Sequence, residues 1–144
     1  PMITKLLGIV AGSGLLLSGV ALASPKPVLE ELFTANQTLG GRTVEYPSGQ
    51  PEMRVVRVTL PVGAKIPLHT HPSPVVVYVQ EGTLTNVRIV DGVEVIDVIE
   101  AGYGFLEGSP DEPHYVMNRG DVPSVSVVTF ASVVGMPNLI PIKD

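Results

Sequence analysis

The chain contains no cysteine. That absence excludes a disulfide framework, a thiolate metal site and a catalytic thiol. It also excludes a lipid-anchored cysteine behind an export signal. Basic residues are sparse: nine Lys and Arg stand against fourteen Asp and Glu, for a formal net charge of −5. Arg42, Arg54, Arg57, Arg88 and Arg119 are scattered, so the basic stripe of a nucleic-acid binder is missing. Histidine occurs only at positions 69, 71 and 114. Long helical periodicity, internal repeats and low-complexity segments are lacking too.

What is present describes a globular β protein. Hydrophobic residues make up 44% and charged residues 16% of 144 positions, enough for one domain with one core. Fifteen Gly and fourteen Pro, with abundant Val, point to short strands joined by tight turns. The N-terminus has the form of an export signal over residues 1–23, with Met2 read as the natural start after Pro1. Lys5 precedes the apolar "LLGIVAGSGLLLSGV", and Ala21 to Ala23 has the small-x-small form of a cleavage site. Cleavage there leaves no stable membrane anchor and implies a periplasmic or secreted protein. Residues 24–53 read as an N-terminal arm, with a turn of helix at Val28 to Phe33 and a short strand at Thr43 to Tyr46. Residues 54–144 read as a barrel or sandwich with an apolar C-terminal tail. Within it, Asp91-Gly92 separates two alternating runs and predicts a hairpin, since both turn positions need positive φ. The run "VVVYVQEG" predicts a strand buried on both faces.

All three histidines fall in the β region. Residues i and i+2 of a strand face one side, so His69 and His71 share a surface. His114 can join them only if the sheet folds back. Such a set suits a divalent transition metal (Fe, Zn, Mn, Ni or Cu), although three unrelated histidines would show the same spacing.

The flanking residues carry a resemblance. Gly63, His69, His71 and Gly82 fit the first motif of the cupin superfamily, G-x5-H-x-H-x3,4-E-x6-G. "GYGFLEGSPDEPHYVMN" is similar to the second, G-x5-P-x-G-x2-H-x3-N, through Gly102, His114 and Asn118, with one extra residue before the histidine. The resemblance spans roughly residues 54 to 134. It implies an all-β double-stranded β-helix, a jelly-roll barrel with a metal inside, and a homodimer. It also implies that Gly63 and Gly82 serve turns and that Asn118 fixes backbone. Alternation then predicts an interior lined by Val75, Val77, Val79, Val116 and Phe105. Tyr78, Gln80 and Tyr115 fall on the opposite faces. Met117 is expected in the core and Glu112 in solvent.

The motif departs at its glutamate, which is replaced by Val75, or by Val76 at the alternative spacing. Three readings stay open. The metal site is a three-histidine set, as in cupin dioxygenases acting on thiols, β-diketones or gentisate. Alternatively Glu107, seven residues before His114, supplies the carboxylate as ligand or general base, unless it is a rim residue in solvent. Or the metal has been lost. Function is correspondingly divided. One reading is a metal-dependent dioxygenase-type enzyme on a small anionic substrate, and a weaker variant is a lyase or isomerase. The other is a non-catalytic module binding a small ligand or metal, or a structural barrel using its apolar tail as a contact.

Overall fold

The computed structural model describes residues 14–16 and 18–143, so most of the expected signal segment lies outside the described residues. Among the described residues nine strands follow one another: β1 (Pro51–Leu60), β2 (Lys65–Thr70), β3 (Val75–Glu81), β4 (Thr83–Val90), β5 (Val93–Glu100), β6 (Gly104–Glu107), β7 (His114–Met117), β8 (Ser124–Val133) and β9 (Ile140–Pro141). They form a four-stranded sheet, β1-β8-β3-β6, facing a five-stranded sheet, β5-β4-β7-β2-β9. Every pairing is antiparallel. This is a jelly roll, whose core is the space between the two inner faces. Val75, Val77 and Val79 from one sheet meet Leu84, Ile99 and Val116 from the other, with Phe105 and Phe130 between them.

The expected hairpin forms. Asp91 (φ 50°) and Gly92 (φ 75°) join β4 to β5, with Val90 paired to Val93. Strand β3 departs from expectation. Its buried residues alternate with half-buried Val76 and Tyr78, so only one face meets the core. The continuous apolar run misled because β-branched residues also suit an outer face that is partly covered. The arm differs as well. Val28 to Phe33 forms no helix, and Val28 and Leu29 are exposed. Pro25 and Pro27 precede it, and a segment so short does not repay helix nucleation; it packs only through half-buried Phe33, against Gly104. Thr43 to Tyr46 contributes only an isolated bridge, Gln37 to Thr43. Strand β1 starts at Pro51 and crosses the expected arm boundary.

Asn118, fully buried, ties three segments together. Its amide donates to the carbonyls of Leu60 (3.0 Å) and Val122 (2.7 Å), and its Oδ1 accepts from the Gly120 amide (2.9 Å). Asn118→Ala leaves these backbone groups unpaired and is expected to cost about 2–4 kcal/mol of stability. Urea denaturation checks it, and a loss within error of zero would show that water takes over the three bonds. Met117, by contrast, is not core. Half-buried on the outer side, its sulfur lies 3.1 Å from Arg119 Nε.

Candidate metal centre

The sheet register brings the distant histidine to the near pair. His69 on β2 is the direct cross-strand partner of His114 on β7, beyond an irregularity between Ile66 and His69. His71 lies one residue past the end of β2, on the link that crosses to β3 and the other sheet. The three rings meet edge-on or tilted, 4.4 to 5.1 Å apart centroid to centroid, and all are buried. Their ligand atoms lie within 4.8 Å of one another. Two nitrogens on opposite sides of an ion, at about 2.1 Å each, stand about 4.2 Å apart, so small ring rotations bring this set into range.

The carboxylate absent from position 75 is found across the strand from it. Glu107 on β6 is the register partner of Val75 on β3, and antiparallel partners point to the same face. Glu107 is buried, with Oε2 3.0 Å from His71 Nε2 and Oε1 3.0 Å from His114 Nε2. It is therefore no solvated rim residue. Gly108 permits this approach. Its φ is 121°, and a Cβ there would meet Ser73 O at 2.5 Å and Pro74 Cα at 2.6 Å, so a side chain would push β6 off the β2–β3 link.

The tautomers are set by backbone. His69 Nδ1 lies 2.6 Å from Pro67 O, His71 Nδ1 2.7 Å from Asn138 O, and His114 Nδ1 2.9 Å from Glu112 O. A carbonyl only accepts, so each Nδ1 carries the proton, and in the neutral ring Nε2 presents a lone pair. Yet His71 Nε2, His114 Nε2 and Glu107 Oε1 are buried without an aligned hydrogen-bond partner among the described residues. Lone pairs and a carboxylate packed at 3.0 Å are what a cation between them would satisfy, and backbone-anchored Nδ1 atoms are how metal-binding imidazoles are oriented. The donor set fits a divalent transition ion.

Charge follows the same geometry. Burial holds the His69 pKa at about 4, below its ordinary 6.5. At Glu107 burial opposes charge, but the contacts with His114 and His71 outweigh it and hold the carboxyl well below the usual range. At His114 burial again opposes charge, and the Glu107 contact overcomes it to raise the pKa.

His69, His71 and Glu107 line a cavity of about 210 Å³, larger than the ~150 Å³ apolar cavity that admits benzene. Val77, Phe105 and Val116 line it too. Val75 and Val79 share their face but are fully buried in the packing and form no part of the lining. Tyr115 points outward, its hydroxyl donating to Glu94 Oε1 at 2.9 Å with Lys65 Nζ 3.8 Å above the ring. Glu112 is not solvated either; it accepts from Thr38 Oγ1 at 2.9 Å and lies 3.7 Å from Arg42 Nε, under the arm.

The apolar C-terminal tail covers a sheet edge, adding β9 beside β2, as its composition allowed, but sequence reasoning did not anticipate that it also reaches the metal centre. Arg54, on the inward face of β1, donates through Nη1 to Met136 O (2.7 Å) and Asn138 Oδ1 (2.8 Å), and through Nη2 to Val133 O (3.0 Å). It thereby holds the segment whose Asn138 carbonyl orients His71. No local pattern announces this, because the partners are about 80 residues apart. Arg54→Met is expected to weaken metal binding about 10–100-fold, the range for outer-shell partners, with Arg54→Lys a poor rescue. Competition with a chelator measures it, and unchanged affinity would show that the tail is held by other contacts.

Among known proteins, the family model described as a cupin domain matches residues 56–130. The chain belongs to the cupin superfamily. No curated protein sequence matches it significantly. Similar solved structures include an oxalate oxidase (TM-score 0.53, 19% identity, covering 88% of this chain and 75% of that one). The oxalate decarboxylase of Lactobacillus farciminis matches at TM-score 0.54 and 21% identity, over 65% of this chain and 27% of that one. DMSP lyase DddQ of Ruegeria pomeroyi matches at TM-score 0.52 and 18% identity, over 62% and 42%. This chain thus spans less than half the length of the last two. Likeness at such identities defines the fold.

Proposed function

We propose that this cupin is an exported metalloprotein. It binds one divalent transition ion through His69, His71, His114 and Glu107, and oxidises a small anionic substrate with dioxygen in the adjoining cavity. The observation that carries the reading is the triple Nδ1-to-carbonyl anchoring, which leaves unpartnered Nε2 atoms packed against a buried carboxylate. A bound ion would supply a Lewis acid and, if redox-active, an electron path. Four protein ligands leave room for up to two exogenous ones on a six-coordinate ion. The chain's part is to hold the donors rigidly, to exclude water with Val77, Phe105 and Val116, and to orient the substrate.

A lyase or isomerase is less well supported. Glu107 is the one carboxylate among the described cavity-lining residues, and as a ligand it is not free to move a proton. A binding module remains the second reading, favoured by the mainly apolar cavity wall. Elemental analysis of untagged protein tests the metal, with one ion per chain expected. Oxygen uptake by iron-loaded protein with thiol, diketone and hydroxy-aromatic acids tests the oxidation. A metal-loaded protein that binds these acids and consumes no oxygen is a binder. Export also belongs to the proposal, and a native mass that still includes Met2 would remove it. So does a homodimer, supported by exposed Met53 and Val55 on the outer face of edge strand β1, and sedimentation decides it.

A further inference from the structure

The end of the cavity remote from the histidines holds two hydroxyls that no group among the described residues uses. Ser124 and Ser126 lie on β8, 1% and 3% exposed, and neither Oγ has a hydrogen-bond partner among the described residues. Both line the cavity. They share the inward face of β8 with Val128 and Phe130, where an apolar residue would fill the same space without an orphaned hydroxyl.

The register places them relative to the metal centre. Phe130 and Glu107 both pair with Val75, so they are level, whereas Ser126 pairs with Val79. Four residues of strand, about 13 Å at ~3.3 Å each, separate the two levels. Between them the wall is apolar, formed by Val77, Phe105 and Val128. No Lys, Arg or Asp is among the described residues lining the cavity, so a charged group at the serine end would be desolvated without a counter-ion.

We propose that Ser124 and Ser126 form a second polar subsite that receives an uncharged hydroxyl or carbonyl group at the far end of the ligand. The ligand is then a short acid with its carboxylate at the histidine–glutamate end, an apolar middle and a neutral hydrogen-bonding terminus. This rests on the metal reading for the anionic end. An ω-hydroxy or ω-oxo acid is the class that matches both ends.

The probes are ω-hydroxyhexanoate and hexanoate, titrated calorimetrically into zinc-loaded protein. Wild type is expected to bind the hydroxy acid about ten-fold tighter. Ser124→Ala with Ser126→Ala is expected to abolish that preference, leaving hexanoate affinity and zinc content unchanged. Ser126→Ala alone gives the same comparison should the double variant not fold. Equal affinities in wild type overturn the proposal, as does zinc-loaded protein that binds neither acid. A preference that survives in the variants shows that the hydroxyls hold only water, and overturns it too. Folded wild type that takes up no zinc removes the metal reading, and the subsite with it, a result seen in metal content before any acid is added.

Discussion

Glu107→Val is expected to weaken metal binding by more than about 100-fold, and adding Val75→Glu to restore most of it. The loss should exceed the 10–100-fold typical of outer-shell partners, because in the proposed centre Glu107 is itself a ligand. Restoration follows from the register. Positions 75 and 107 are cross-strand partners on one face, with Cβ atoms about 4.5–5.5 Å apart, so a carboxylate on either reaches the same imidazoles. Val75 is fully buried on a central strand and cannot turn outward. Chelator competition on the single and double variants reads both steps, and a double variant no better than the single would show that position 107 acts through something other than its charge.

The metal-free protein gives the same carboxylate a pH signature. The folded pKa of Glu107 is depressed, so its contribution is present above about pH 4.5, its unfolded value, and is lost as pH falls toward the folded one. His114 is raised, so its contribution is complete below 6.5 and is lost as pH rises through the folded value. The stability difference between chelated wild type and Glu107→Gln should therefore be greatest between pH 4.5 and 6.5. A difference flat across that window would mean that the ion pair does not form without metal.

Alanine at His69, His71 or His114 is expected to reduce metal content from one ion per chain to under about a tenth under dilute conditions, each alone sufficing. The three act as one donor set, so the losses should not add: a double variant can lose no more than the ion. His69→Ala removes a ring that burial keeps neutral, and it should stabilise the metal-free protein toward acid while abolishing binding. Elemental analysis after dialysis decides the point. Full occupancy in any one of these variants would remove that ring from the centre.

The unequal legibility of the site has a physical cause. The His69–His71 pair and the Asp91-Gly92 hairpin are local. They depend on a strand period of two and on turn stereochemistry, both written in consecutive residues. The short segment at Val28 misled for a related reason: helix propensity is weak evidence in a segment of six residues, and here Phe33 packs against Gly104 while Val28 and Leu29 stay exposed. Met117 misled because an apolar residue near a strand end has no local marker of which side it takes.

By itself the sequence determined an all-β chain with two imidazoles on one face and no thiol ligand, since composition and strand periodicity are properties of neighbours. Only the tertiary structure decided that Glu107 stands beside the vacant motif position, that the Asn138 carbonyl orients His71, and that two serines face an apolar cavity unpaired. Those facts are contacts between segments remote in the chain. They exist only once the two sheets have closed over one another and the cross-strand register has been set.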